Sequence, residues 1–182
     1  RGGLPILAIG IGSILAAVLY TGGPYPLGYL GLGDSFVLAF FGPVAVGGTY
    51  YLNTLTFSWS VAILGLAPGL LSTALLIINN IRDSKEDSQT NKKTLAVRFG
   101  DQFAKIEYIL CIIGVGIISF LVPVYVPAYQ YVWPSIIIII PGLYLGYLLS
   151  IKPKEEYNNL LAKTSLLLIG YTLLWAIGYY II

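Results

Sequence analysis

Residues 61–78 read VAILGLAPGLLSTALLII, a continuous apolar stretch without a charged side chain. A helix needs about 20 such residues to cross the hydrocarbon core of a bilayer. The apolar residues of this stretch do not alternate with polar ones, and the stretch is too long for the roughly ten-residue strands of a membrane barrel. The sequence therefore predicts an all-α fold, a polytopic transmembrane helical bundle. Five further stretches share this length and composition and bring the number of spans to six: residues 4–20, 36–52, 108–126, 132–149 and 164–182.

The composition also indicates a membrane protein. Hydrophobic residues make up 57% of the chain and charged residues 10%, whereas soluble domains carry about 25% charged residues. There is no His, and the one Cys, Cys111, lies inside an apolar span, so zinc sites and His-based catalysis are excluded within these residues. We expect Cys111 to pack in the core. Gly65 with Gly69, and Gly142 with Gly146, have the spacing that lets membrane helices approach closely.

The placement of the charged residues predicts the topology. The connections between the second and third spans, and between the fourth and fifth, contain none of them. Every acid, and every Lys or Arg except Arg1, lies in the other three connections. By the positive-inside rule this face is cytoplasmic, so we expect a multi-pass protein of the cell membrane with cytoplasmic active-site loops. The net charge of +2 is then an orientation signal, and no nucleic-acid partner is expected.

Residues 79–100, NNIRDSKEDSQTNKKTLAVRFG, are dense in charge and follow the third span directly. We expect the third helix to continue to Asp87 and to end in the polar residues 88–91, so that Asn80, Asp83 and Asp87 point within roughly 60° of one another. Two carboxylates four residues apart repel each other unless a positive charge lies between them. A hard cation with oxygen ligands suits this face, and the segment predicts a cation site.

Each part of this segment also has a simpler interpretation. The acids could be exposed surface residues that Arg82 and Lys85 neutralise. We favour a metal or ligand site, because Asn79 and Asn80 end a membrane helix, where polar groups are costly and usually functional.

Lys92, Lys93 and Arg98 follow the acids. They could serve only as positive-inside anchors. Alternatively, they bind an anion that the cation holds, since Mg²⁺ in proteins usually takes one or two carboxylates and completes its shell with water and phosphate oxygens. Carboxylates, Mg²⁺ and basic residues beside an apolar bundle suggest a diphosphate with a hydrophobic tail. A phosphatidyl-transfer enzyme would need much the same groups.

The pattern N-N-x-R-D-x-x-x-D at residues 79–87, followed by KKTLAVRFG at 92–100, resembles the second aspartate-rich motif of the UbiA superfamily of intramembrane prenyltransferases. It is most similar to the branch that prenylates 1,4-dihydroxy-2-naphthoate on the way to menaquinone or phylloquinone. A second region agrees in order and spacing, with GPYPL at 23–27, GLGD at 31–34, and FGPVAV at 41–46 leading to GTYY at 48–51.

The resemblance implies nine spans and two aspartate-rich motifs, on the cytoplasmic loops after the second and sixth spans. The six visible spans would be the last six. We therefore expect residues 1–182 to be a single transmembrane prenyltransferase domain from which three N-terminal spans and the first motif are missing. The absence of methionine agrees with a fragment. Such a fragment is expected to be inactive alone.

The resemblance also implies a Mg²⁺-dependent transfer of a long isoprenoid from an allylic diphosphate to dihydroxynaphthoate. The isoprenyl diphosphate, the aromatic acceptor and the lipid bilayer are the expected partners. The expected roles are catalysis by Asp83 and Asp87; metal binding by Asp83, Asp87 and Asn80; diphosphate binding by Arg82, Lys92, Lys93 and Arg98; and substrate binding by Asn79, Tyr25 and Tyr29. The two tyrosines are chosen because their Gly/Pro loop lies on the same side as the motif, and aromatic faces can stabilise an allylic cation.

Three alternatives remain open. A related prenyltransferase could use homogentisate, hydroxybenzoate or an archaeal lipid-forming acceptor. A transporter is a second possibility, although transporters usually place ionisable residues in their spans, and these apolar stretches have none. A non-catalytic membrane scaffold is the third.

Overall fold

The computed structural model describes residues 2–24 and 26–181. Within these residues the chain is helical, and no strand is present. The elements in chain order are α1 (Gly3–Thr21), α2 (Gly33–Ala39), a π-helical segment (Phe40–Val44), α3 (Ala45–Thr54), α4 (Trp59–Arg82), α5 (Ser84–Gln89), α6 (Leu95–Phe99), α7 (Asp101–Tyr125), a 3-10 segment (Pro127–Ile138), α8 (Ile139–Ile151), a short 3-10 turn (Lys154–Glu156) and α9 (Tyr157–Ile181).

Six helical stretches of the described chain are long and apolar enough to cross a membrane, which confirms the six predicted spans. Several are longer than the apolar runs because the helix continues through charged turns. For example, α7 begins at Asp101, seven residues before its apolar part, which adds about 10 Å at 1.5 Å per residue. The six stretches are Gly3–Thr21, Gly33–Thr54, Trp59–Arg82, Asp101–Tyr125, Pro127–Ile151 and Lys154–Ile181.

The second span is interrupted, which the sequence analysis did not predict. Gly42 leaves the helical region (φ −108°, ψ −110°) just before Pro43, which has no N–H for the helical ladder. The backbone of Gly42 packs on α4, where a Cβ at Gly42 would lie 2.8 Å from the Gly65 carbonyl oxygen and 3.2 Å from Gly69 Cα. The predicted close helix approach at Gly65 and Gly69 is confirmed. The segment that packs against these two glycines is the break in the second span.

Helix α4 lies at the centre of the bundle and packs against α7, α9 and the π-helical segment. Its residues Leu71 and Ile78 are fully buried in one cluster with Ile112 of α7 and Leu149 of α8. Cys111 is part of the same cluster and has a free thiol, as predicted. In contrast, every residue of α1 is at least partly exposed. Helix α4 is therefore held in the core up to its last turn, where the charged segment begins.

The second glycine pair also mediates helix contact. The side chains of Ile112 and Ile109, both on α7, lie against Gly142 and Gly146 of α8. A larger residue at either glycine would separate these two helices. The small-xxx-small interpretation is therefore confirmed for α8 as well.

Candidate functional site

The charged segment begins with a break in the third span. Helix α4 ends at Arg82, and Asp83 adopts φ −92° and ψ 3° before α5 begins at Ser84. Backbone hydrogen bonds still cross this point, because the Asp83 N–H donates to the Asn79 carbonyl (3.0 Å) and the Asp87 N–H donates to the Asp83 carbonyl (2.9 Å). The prediction of one uninterrupted helix through Asp87 was therefore wrong, and Asp83 separates two helices.

Arg82 organises the groups around the break. Its Nε and Nη2 donate to the two Asp83 carboxylate oxygens at 2.6 and 2.8 Å, a bidentate contact. Nη2 also donates to Asn79 Oδ1 (2.7 Å), and Nη1 donates to Asn158 Oδ1 (2.5 Å) at the start of α9. These hydrogen bonds from Arg82 hold the pKa of the Asp83 carboxyl below its usual range. Asp83 is thus an ionised carboxylate in a fixed position.

Asp87 forms a second ion pair, with Lys92. Asp87 is buried, with 8% of its surface exposed. Lys92 Nζ donates a hydrogen bond to Oδ1 at 3.2 Å and lies 3.1 Å from Oδ2. The approach to Oδ2 is electrostatic only, so this oxygen has no hydrogen-bond partner among the described residues. The Lys92 N–H also donates to the Asp87 carbonyl (2.9 Å), which fixes the turn that brings the two side chains together.

A small polar cavity of about 10 Å³, enough for roughly one water molecule or ion, lies beside this pair. Asn80 and Lys92 reach it from the charged segment (residues 79–100), and a glycine-rich loop (residues 26–34) forms the other side. Asn80 is 4% exposed. The structure thus brings two of the predicted site residues to one cavity. Its lining is Tyr20, Gly28, Gly31, Gly33, Asp34, Asn80, Lys92 and Thr94.

The glycine-rich loop is held against the charged segment by backbone hydrogen bonds. The Lys93 N–H donates to the Tyr29 carbonyl (2.9 Å). Arg98 donates from Nη2 to the Leu30 carbonyl (2.7 Å) and from Nε to the Lys93 carbonyl (3.0 Å). Gly31 has φ +72°, and a Cβ there would lie 2.6 Å from the Lys93 carbonyl oxygen. In this arrangement Arg98 joins the two segments.

The two tyrosines that were predicted to contact substrate have different outcomes. Tyr29 contacts the charged segment through its carbonyl, and its side chain is exposed. Tyr25 lies outside the described residues. The structure therefore tests neither of the two predicted substrate contacts.

Sequence reasoning missed Lys154, which lies in the connection before the last span. Its Nζ donates to the Ile81 carbonyl (2.9 Å) and to Ser84 Oγ (2.8 Å), and forms an ion pair with Asp101 Oδ2 at 2.7 Å. Lys154 thereby satisfies a carbonyl at the end of α4. The only sequence signal was that its loop carries charge, like the loop that contains Asp101.

The three charge-bearing connections therefore meet at one end of the bundle. Arg98 and Leu30 join the first to the second, and Lys154 and Ser84 join the second to the third. The prediction that all loop charges lie on one face is confirmed by these contacts.

Asp34 is a further residue to which sequence reasoning gave no role. It was visible only as the acid of the GLGD turn at residues 31–34. It is 6% exposed and lines the small cavity, and its Oδ1 has no hydrogen-bond partner in the described part of the chain.

The donor set fits part of a hard-cation site. In the described residues, no group of three or more His, Cys, Asp or Glu side chains is arranged to hold a metal ion. Mg²⁺ needs fewer protein ligands, because it usually takes one or two carboxylates together with water and phosphate oxygens. A buried Asp87 oxygen without a hydrogen bond is suited to such a cation, and Asn80 lines the cavity that Lys92, the ion-pair partner of Asp87, also lines. These residues can supply part of a Mg²⁺ shell that water or phosphate oxygens complete.

The fold and the site together define a helical bundle with six candidate membrane spans and a buried, charged site at one end. Residues 2–169 match the UbiA prenyltransferase family. The chain belongs to this family.

Similar proteins give the relationship more detail. The 1,4-dihydroxy-2-naphthoate octaprenyltransferase of Haemophilus influenzae is 50% identical over 92 residues, which cover 50% of this chain and 30% of that protein. The enzyme of the same name from Mycobacterium tuberculosis is 40% identical over 122 residues, 67% of this chain and 42% of the relative. The 2-carboxy-1,4-naphthoquinone phytyltransferase of Synechocystis is 29% identical over 127 residues, which cover 70% of this chain and 40% of that protein.

The chain thus spans less than half the length of these relatives. No solved structure gives a significant match.

Proposed function

We propose that this protein transfers a long isoprenoid from an allylic diphosphate to 1,4-dihydroxy-2-naphthoate, on the route to menaquinone or phylloquinone. The reaction is Mg²⁺-dependent and takes place at the cytoplasmic face of the cell membrane. Family membership and the names of the similar proteins support the reaction class. The observation that carries the proposal is the position of a polar cavity directly beside an apolar groove.

This groove has a volume of about 810 Å³ and runs between α1 and the second span. Its lining is largely apolar and includes Ile9, Phe36 and Phe41. Tyr20 lines both the groove and the small polar cavity. An allylic diphosphate has the same two parts, a charged head and a hydrocarbon tail, so one molecule can place its head near Lys92 and its tail in the groove.

The proposed roles follow the electrostatics of the site. Asp87, Asp83 and Asn80 hold the cation, which, when bound, neutralises charge on the leaving diphosphate. Lys92 and Lys93 face the same end of the bundle and bind the diphosphate oxygens.

Arg82 and Arg98 act together with these residues. Arg98 also positions the glycine-rich loop, and Arg82 positions Asp83 and Asn79. Preorganised positive charge of this kind stabilises a leaving anion without reorganisation during the reaction.

The substrate contacts complete the proposal. The allylic C–O bond breaks, and the diphosphate leaves with the electron pair. The electron-rich acceptor ring then forms the new carbon–carbon bond with loss of its carboxylate as CO₂. Asn79, Tyr25 and Tyr29 are proposed to contact the substrates, and tyrosine faces can stabilise an allylic cation.

The 182 residues contain one of the two aspartate-rich motifs that the family resemblance implies. We propose that they form part of a single transmembrane prenyltransferase domain and that turnover needs both motifs. Residues 1–182 expressed alone are therefore expected to give no product.

The test is product formation by the full-length protein in detergent, with Mg²⁺, a labelled allylic diphosphate and dihydroxynaphthoate. Asp87→Asn and Asp83→Ala are expected to lower the rate at least about a hundredfold, since both would remove cation ligands. Glu86→Gln is the matched control, because Glu86 is an exposed acid of the same segment. Full activity of Asp87→Asn would show that the cation assignment is wrong. Product with another aromatic acceptor, and none with dihydroxynaphthoate, would show that the acceptor is wrong.

A further inference from the structure

Asp34 is a buried carboxylate to which the roles proposed above give no function. It lies at the start of α2, is 6% exposed, and has an Oδ1 without a hydrogen-bond partner among the residues described. A buried ionised group without a partner is unfavourable by several kcal/mol, so such groups are normally protonated, paired or bound to a metal ion. Its backbone carbonyl accepts a long hydrogen bond from Thr73 Oγ1, at 3.5 Å.

The surroundings of Asp34 are negative overall. Asp34 shares the cavity with Lys92, but Lys92 already forms an ion pair with Asp87. Glu107, at the charged end of α7, is close enough to Asp34 for their charges to interact. None of the ion pairs between described residues includes Asp34, so a cation would complete the charge balance.

The position of Asp34 matches this requirement. Asn80 and Asp34 line the same cavity from different helices, and the cavity has room for roughly one ion. Asp87 is not among the lining residues, but it forms an ion pair with Lys92, which lines the cavity. Oxygens that converge from two separate segments can surround a cation more completely than those of one helix turn.

We propose that Asp34 is an oxygen ligand of the divalent cation, Mg²⁺ or Mn²⁺, together with Asn80 and Asp87. The inference rests on the proposed function and extends its site from the charged segment to the glycine-rich loop. Arg98 holds the glycine-rich loop against the charged segment through its hydrogen bond to the Leu30 carbonyl. This contact would keep Asp34 in position as a ligand.

The experiment is a titration of the full-length protein in detergent with Mn²⁺ alone, in which the free ion is followed by electron paramagnetic resonance. Asp34→Asn is expected to raise the Kd for Mn²⁺ at least tenfold, and Asp87→Asn to do the same. Glu86→Gln removes one exposed negative charge from the same segment and is expected to change the Kd by less than about twofold. This control separates ligation from general electrostatic attraction.

A second variant covers the case in which Asp34→Asn does not fold. Asp34→Cys places a soft thiolate at the site, and thiolates prefer soft metals to Mg²⁺ or Mn²⁺. We expect this variant to bind Mn²⁺ more weakly and Cd²⁺ more tightly than the wild-type protein. Since Cys111 is present in both proteins, its contribution cancels.

The outcomes distinguish the inference from the function on which it rests. If Asp34→Asn binds Mn²⁺ like the wild type while Asp87→Asn does not, Asp34 is not a ligand, and the proposed function stands. If Asp34→Cys leaves both Mn²⁺ and Cd²⁺ binding unchanged, the inference is wrong as well. Absence of saturable Mn²⁺ binding in the wild type would overturn both. Mn²⁺ binding that depends on Asp34, without product from dihydroxynaphthoate, would support the cation site and refute the acceptor.

Discussion

Replacing Lys92 with Gln should strengthen cation binding and weaken diphosphate binding. In the structure Lys92 Nζ lies 3.2 Å from Oδ1 and 3.1 Å from Oδ2 of Asp87. A cation that binds Asp87 must replace this ammonium group. Removing the ammonium group therefore removes a competitor for the carboxylate, but also a positive charge that would bind phosphate.

The size of the effect follows from the geometry. Two unit charges 3.1 Å apart attract by about 5 kcal/mol at an effective dielectric constant of about 20. Desolvation of both groups offsets much of this attraction. The Lys92 side chain is also 26% exposed, which weakens the pair further through solvent screening. A net value of about 1–2 kcal/mol remains, at the lower end for hydrogen bonds to charged groups. This corresponds to a Kd for Mn²⁺ that is about 5- to 30-fold lower in Lys92→Gln.

The assay is the Mn²⁺ titration described above, followed by a titration with inorganic diphosphate. Lys85→Gln is the matched control, because Lys85 is an exposed lysine of the same segment, and we expect it to leave the Kd for Mn²⁺ nearly unchanged. If Lys92→Gln binds Mn²⁺ as the wild type does, or more weakly, the competition argument is refuted.

Three further predictions concern the surroundings of the site. The Asp83 pKa is lowered by Arg82, so this pair stabilises the fold above the ordinary Asp pKa of about 4 and loses its effect as the pH falls through the lowered value. The difference in Tm between the wild type and Arg82→Gln should therefore be constant down to about pH 5 and shrink as the pH falls below about 4; a difference that stays constant at lower pH would contradict this linkage. Gly31→Ala should destabilise the protein by about 1–3 kcal/mol and weaken diphosphate binding, because Gly31 has φ +72° and little space for a Cβ. Lys154→Met should lower the stability by about 1–2 kcal/mol, measured by thermal denaturation, after discounting for its 40% exposed side chain.

Two control variants accompany these changes. Gly48→Ala adds a Cβ within α3, where no neighbouring atom lies within 4 Å, and should not lower the Tm. Lys163→Met removes an exposed lysine of α9 and should behave likewise. If either control lowers the Tm as much as its partner variant, the specific contacts of Gly31 or Lys154 are not the cause.

The spans could be predicted because bilayer thickness fixes the length of an apolar run. The interruption of the second span could not, since it depends on contact between Gly42 and the backbone of Gly65, far away in the sequence. The 3-10 start of the fifth span (Pro127–Ile138) was missed as well, because an apolar run alone does not distinguish one helix type from another.

The site was predictable only where it is local in sequence. Asn80, Asp87 and Lys92 lie within thirteen residues, and their charge pattern was visible. Asp34 and Lys154 come from other connections, and the sequence indicated only that these loops share a face. The prediction of one helix through Asp87 was wrong because the helical periodicity assumes an unbroken helix. In the structure α4 ends at Arg82, and Asp83 pairs with the Arg82 side chain.

The central claim, that the charged segment and the glycine-rich loop hold a cation and a diphosphate, is tested most directly by anomalous diffraction. Crystals of the full-length protein would be grown with Mn²⁺ and an unreactive allylic diphosphate analogue. We expect a Mn²⁺ peak in contact with Asp87 and Asn80, and the diphosphate beside Lys92. A peak elsewhere in the protein, or a diphosphate bound away from Lys92, would contradict the account.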